Sequence, residues 1–199
     1  MEYETIRPVG TLTTLLLSGH VNHIHLYADQ SGITHSSYAQ GWMIIPIALA
    51  GYFGSSLFAV LMFRLHKDSK ERYGLSILAV LATLSLALFV RNGYGMLWCA
   101  GFAVMTIVIS VIAPLWLRNS YYLLLAFICL LESVLSPIVL VALTIIDPTA
   151  AGDSTILAEA TFIPAIVWAL LFAAFSLWCA KMATSLLIKK SWIAKSNAK

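Results

Sequence analysis

From residue 42 onward the chain is a succession of long apolar runs divided by short polar breaks. Crossing about 30 Å of hydrocarbon takes roughly 20 apolar residues in a helix. Five stretches approach or exceed that length: residues 42–63, 75–90, 97–117, 121–146 and 162–180. Lipid offers no water to an unpaired amide, so each run is expected to be helical. Trp42, Tyr73, Tyr94, Trp116, Tyr121 and Tyr122 lie near span ends, where amphipathic rings favour the headgroup level.

The pattern before residue 42 is different. Residues 21–27 alternate, with Ile24, Leu26 and Ala28 on one face and His23, His25 and Tyr27 on the other, as in a strand. Asp29-Gln30-Ser31-Gly32 has turn chemistry, and residues 33–38 can return as a second strand. Residues 9–17 are apolar but cover only about half a bilayer at 1.5 Å per residue. The fold class expected is an all-α polytopic membrane protein, with five transmembrane helices and a small N-terminal β-hairpin at the membrane surface. Its organisation is a half-helix and hairpin over 1–41, a five-helix membrane domain over 42–188 and a basic cytoplasmic tail over 189–199.

Composition supports lipid as the solvent. Of 199 residues, 60% are hydrophobic and 11% charged, and soluble domains carry about 25% charged residues. Cys99, Cys129 and Cys179 sit inside apolar runs and read as small buried hydrophobes, with no disulfide framework. Residues 1–10 are polar and 11–17 too short for a secretory core, so no cleavable signal peptide is expected.

Charge placement sets orientation. Arg64, Lys67, Lys70, Arg72, Arg118, Lys181, Lys189, Lys190, Lys195 and Lys199 fall on one side of the five spans, and only Arg7 and Arg91 on the other. The positive-inside rule puts the basic side, with the C-terminus, in the cytoplasm. The expected setting is a bacterial inner membrane. The expected partners are the bilayer and a transmembrane helix of another protein, with no nucleic acid.

Four of the five histidines, His20, His23, His25 and His35, fall in the segment before the first span. His23 and His25, two apart on a strand, could jointly hold a metal such as zinc, with His20 or His35 as a third ligand and Asp153 as a carboxylate. The alternative is a polar strand near the headgroups that has simply collected histidines. Glu132 lies near the middle of the fourth span, beside Ser133 and four residues before Ser136, with Pro137 following. An intramembrane carboxylate is a functional suspect, as a proton-binding group or part of a polar path; it could equally be hydrogen-bonded across a helix interface and fix packing. Gly51, Gly54 and Ser55 form a small-residue patch of the kind on which membrane helices pack closely. His66, among Lys67, Asp68, Lys70 and Glu71, reads as a solvated loop residue.

Four segments, in order, carry a resemblance. They are Leu15-Leu16-Leu17-Ser18-Gly19-His20-Val21 with the hairpin turn Asp29-Gln30-Ser31-Gly32-Ile33-Thr34; Ala50-Gly51-Tyr52-Phe53-Gly54-Ser55-Ser56-Leu57-Phe58; Val90-Arg91-Asn92-Gly93-Tyr94-Gly95; and Gly152-Asp153-Ser154 with Ile163-Pro164-Ala165-Ile166-Val167-Trp168. From Leu15 onward the chain resembles the site-2 protease family of intramembrane zinc metalloproteases, in its short branch (metallopeptidase family fifty, branch B). The resemblance implies zinc-assisted hydrolysis of a peptide bond in or beside a membrane helix. It implies a His-Glu-x-x-His helix before the hairpin, whose histidines bind zinc and whose glutamate activates water. It implies Asp153 as the third metal ligand. The positions where the motif should fall read Ile6-Arg7-Pro8-Val9-Gly10, so both histidine ligands and the base are absent there. The expectation is therefore a chain that has lost catalysis, or a reading frame that starts inside a longer gene. The alternative is a non-enzymatic membrane protein, a small transporter or assembly factor, using Glu132 and the hairpin histidines.

Overall fold

The computed structural model describes residues 20–26, 32–37, 44–88, 90, 93–146 and 152–196. Six helices occur among them: α1 Ile44–Lys67, α2 Glu71–Leu88, α3 Gly93–Ile112, α4 Leu115–Ile146, α5 Gly152–Thr161 and α6 Ala165–Ser196. All but α5 are long and apolar enough to cross a membrane, which agrees with the five runs read from the sequence. Ahead of α1, the backbones of β1, His20–Leu26, and β2, Gly32–Ser37, pair antiparallel with a register shift between Val21 and His23. The half-helix expected over 9–17, the sequence positions 6–10, Trp42, Arg91, Asn92 and Asp147 lie outside the described residues.

Three departures from the elements the sequence predicts have a local cause. The third span ends at Ile112 instead of residue 117, because Pro114 has no N–H with which to continue α3. Its carbonyl instead accepts the Arg118 N–H at 3.0 Å and opens α4, so Arg118 stands in a helical first turn. The stretch 147–161, read as a polar loop, contains the ten-residue helix α5. The last span begins at Ala165 instead of 162. Phe162 closes α5 in the left-handed region (φ 59°), its N–H on the Ala158 carbonyl at 2.8 Å, and Pro164 sits just before α6.

The core is the trio α1, α4 and α6, with α5 laid across α6 and α1, and the pair α2–α3 docked mainly through α2. Tyr52 of α1 meets Phe172 of α6 near one end, and His66 meets Lys190 near the other, so α1 and α6 run in the same direction. Buried side chains form two groups, one around Met62, Phe63, Leu75 and Tyr122, the other around Tyr52, Leu140, Leu157 and Phe172. Outward positions carry large apolar residues, among them Leu97, Val104, Leu131 and Val139, as a lipid environment requires.

The link from α1 to α2 is a tight reversal. The Lys70 N–H bonds the Leu65 carbonyl at 2.8 Å and the Ser69 N–H bonds that of His66 at 3.1 Å. This is the Schellman pattern, and it puts Ser69 at φ 55°, where glycine is the usual residue. Gly74, one turn into α2, lets Tyr122 approach the backbone; a Cβ there would lie 2.4 Å from the Tyr122 ring.

Candidate functional site

The segments that carry the resemblance on α1, α5 and α6 come together. Tyr52 stacks on Phe172 with ring centroids 4.3 Å apart and planes 8° from parallel, and Phe53 meets Phe172 and Phe175 edge-on. In the small-residue patch beside them, Gly51 is buried and Gly54 and Ser55 are half-buried. Ser55 and Ser56 donate their hydroxyls to the Tyr52 carbonyl at 3.0 and 3.1 Å, so their polar atoms are satisfied within the helix. Ser154 of α5 is buried and lies 3.4 Å from Thr144 of α4, oxygen to oxygen. Asp153 is therefore carried at the start of a helix that is tied to α4, α1 and α6.

Three of the candidate histidine ligands are carried on β1. β1, which carries His20, His23 and His25, lies against α3, whereas α5 lies against α6 and α1. The register sets His23 opposite His35 and His25 opposite Ile33. Among the described residues no group of three or more His, Cys, Asp or Glu could hold a metal ion. They do not by themselves make up a zinc site, and no chemical step through zinc is derived from them.

Glu132 does not take up the partners suggested by its neighbours. Ser133 is buried and donates to the Leu130 carbonyl of its own helix at 2.8 Å. Glu132 is exposed on the outer surface of α4, and no hydrogen bond or ion pair reaches it among the described residues.

The best-developed polar cluster is one that sequence reasoning missed. His66, read as solvated, is 7% exposed, and Glu71 is 4% exposed. Glu71 Oε1 accepts from Lys190 Nζ at 2.8 Å and from His66 Nδ1 at 2.9 Å. With the proton on Nδ1, the 3.4 Å approach of Lys190 Nζ to the same nitrogen is not a hydrogen bond; the ammonium also donates to the His66 carbonyl. The imidazole lies over Tyr122, whose hydroxyl donates to the Met62 carbonyl at 2.7 Å. Four helices thus converge on one carboxylate: α1, α2, α6 and, through Tyr122, α4. His66 and Glu71 flank one reversal and were within reach of a local reading. Lys190 is 119 residues from Glu71, and no local pattern points to it.

A family model described as Peptidase M50B-like matches residues 11–183. The chain belongs to that family. No curated protein and no solved structure matches it. The M50B-like match covers both strands, the first four membrane-length helices and most of the fifth, and it makes the chain a multi-pass, site-2 protease-like membrane protein.

Proposed function

We propose that this chain is a non-hydrolytic member of the M50B-like family that holds a membrane-embedded polypeptide instead of cutting it. The reading is supported by a contrast within the chain. The family-like segments on α1, α5 and α6 are assembled and packed, while Ile6-Arg7-Pro8-Val9-Gly10 offers neither imidazole nor carboxylate where the resemblance leads one to expect the ligands and base. It is further supported by the element contacts: α5, which carries Asp153, lies against α6 and α1, and β1, which carries His20, His23 and His25, lies against α3. In this reading the hairpin rests at the outer membrane surface, the basic ends of α1 and α6 face the cytoplasm, and the setting is a bacterial inner membrane. A transporter would need Glu132 to face an internal path, and its exposure on the outside of α4 favours the binding role.

The test is a metal and cleavage assay on the full chain in lipid vesicles. Zinc well below one ion per chain, unchanged in Asp153→Ala and His23→Ala, is expected, with no cutting of an added membrane-helix substrate. Stoichiometric zinc lost in Asp153→Ala, or cleavage abolished by a chelator, overturns the proposal.

A further inference from the structure

Between α3 and α4 lies an apolar cleft of about 510 Å³, open to the side and lined by Tyr94, Trp98, Gly101 and Met105 of α3 and Tyr121 and Leu125 of α4. The two helices touch little along their length and are pinned near one end by the buried pair Thr106 and Tyr121, hydroxyl to hydroxyl at 3.1 Å. Beyond that pin they part. Gly101 contributes to the opening, since a Cβ there would meet nothing within 4 Å.

Helical geometry connects this cleft with Glu132. At 100° per residue, Tyr121, Leu125, Ile128 and Glu132 fall on one face of α4, with Glu132 in angle between the two cleft-lining residues. Glu132 therefore continues the wall of the cleft. It lies about 21 Å along the helix from both Arg118 and Ile146, deep in the apolar stretch. Its neighbours on that face are apolar or aromatic apart from Ser136 and the Cys129 thiol, and no hydrogen bond or ion pair reaches the carboxylate among the described residues. A charged or polar group in hydrocarbon is retained where something satisfies it.

We infer that the α3/α4 cleft is the docking surface for a membrane helix of another protein that carries a lysine or arginine near mid-span, paired with Glu132. An acyl chain would fill the apolar part and leave the carboxylate bare; a helix with a central cation satisfies both. The cleft accepts side chains along one face of that helix, and the aromatic rings of Tyr94 and Trp98 form its outer rim. The inference rests on the reading of the chain as a binder of membrane polypeptides, and it is independent of zinc.

The experiment uses the full chain in phosphatidylcholine–phosphatidylglycerol vesicles, with synthetic leucine–alanine helices of about 21 residues. These carry Lys, Leu or Glu at the centre and an acceptor dye for energy transfer from the chain's tryptophans. The Lys helix is expected to half-saturate at about tenfold lower mole fraction than the Leu helix, with the Glu helix weakest. Glu132→Gln should remove most of that preference while leaving Leu-helix binding unchanged. Gly101→Leu, which fills the cleft without touching Glu132, should weaken both helices. Equal binding of Lys and Leu helices overturns the role of Glu132 but leaves helix binding standing; failure of every helix to bind overturns both. Energy transfer between labelled copies of the chain, lost in Glu132→Gln, gives the face to a second copy and also overturns the inference.

Discussion

Replacing Lys190 tests whether the three-residue cluster at the end of α1 acts as a unit. Removing one partner of a buried ion pair costs about 3–5 kcal/mol, because the other charge stays buried and uncompensated. The two partners here are unequal: the Glu71 side chain is 6% exposed and that of Lys190 27%. In Lys190→Met the carboxylate keeps His66 and the amide of its own residue, and the loss should be about 3 kcal/mol, the low end of that range. In Glu71→Leu the freed ammonium can turn to water, so the loss should be nearer 2 kcal/mol after allowance for solvent. The double variant should lose about 3 kcal/mol in all, leaving a coupling energy of about 2 kcal/mol. Reversible unfolding in mixed micelles by dodecyl sulfate titration, followed by tryptophan fluorescence and circular dichroism, gives all four corners of the cycle. A coupling below about 0.5 kcal/mol, or a Glu71→Leu loss larger than that of Lys190→Met, refutes the reasoning.

Ser69→Gly should stabilise the chain by about 1 kcal/mol in the same titration, since Ser69 holds φ 55° at the end of α1 and glycine adopts it without Cβ strain. Gly74→Ala should destabilise by about 1–3 kcal/mol and change the environment of Tyr122, seen as a shifted near-ultraviolet spectrum, because the new methyl would lie 2.4 Å from that ring. Phe172→Ala should cost about 1–2 kcal/mol, well short of the 3–5 typical of a water-soluble core. In lipid the lost term is packing against Tyr52 and Phe53, since the separated helices would already be out of water.

The spans were legible because lipid imposes one rule on every residue of a crossing helix, and a run of apolar residues satisfies it visibly. Their ends were less legible. Trp116 and Leu117 are as apolar as the third span they follow, and only Pro114, as a missing donor, marks the break. The helix α5 was hidden because its length of ten residues and its mixed composition resemble a loop. The family-like segments on α1, α5 and α6 could be picked out as motifs, but not the stacking of Tyr52 on Phe172, one turn beyond the α6 segment. His66 was misread for a physical reason. Charged neighbours in sequence suggest solvent, yet here α6 covers the reversal and brings the balancing charge from far along the chain. Glu132 could be flagged by depth alone; its outward direction needed the packing of α4.

The distance along the chain between Glu71 and Lys190 also sets an order of events during synthesis. At 5–20 residues per second, the 119 residues between them take about 6 to 24 s to make. For that interval the carboxylate at the start of α2 and the last carbonyls of α1 must be served by water or headgroups near the bilayer face. They can sink beneath α6 only when the final helix arrives. A ribosome that stops short of Lys190 leaves a chain with its spans nearly complete and an unbalanced acid at the reversal. Such a nascent protein differs from a finished one by that exposed acid.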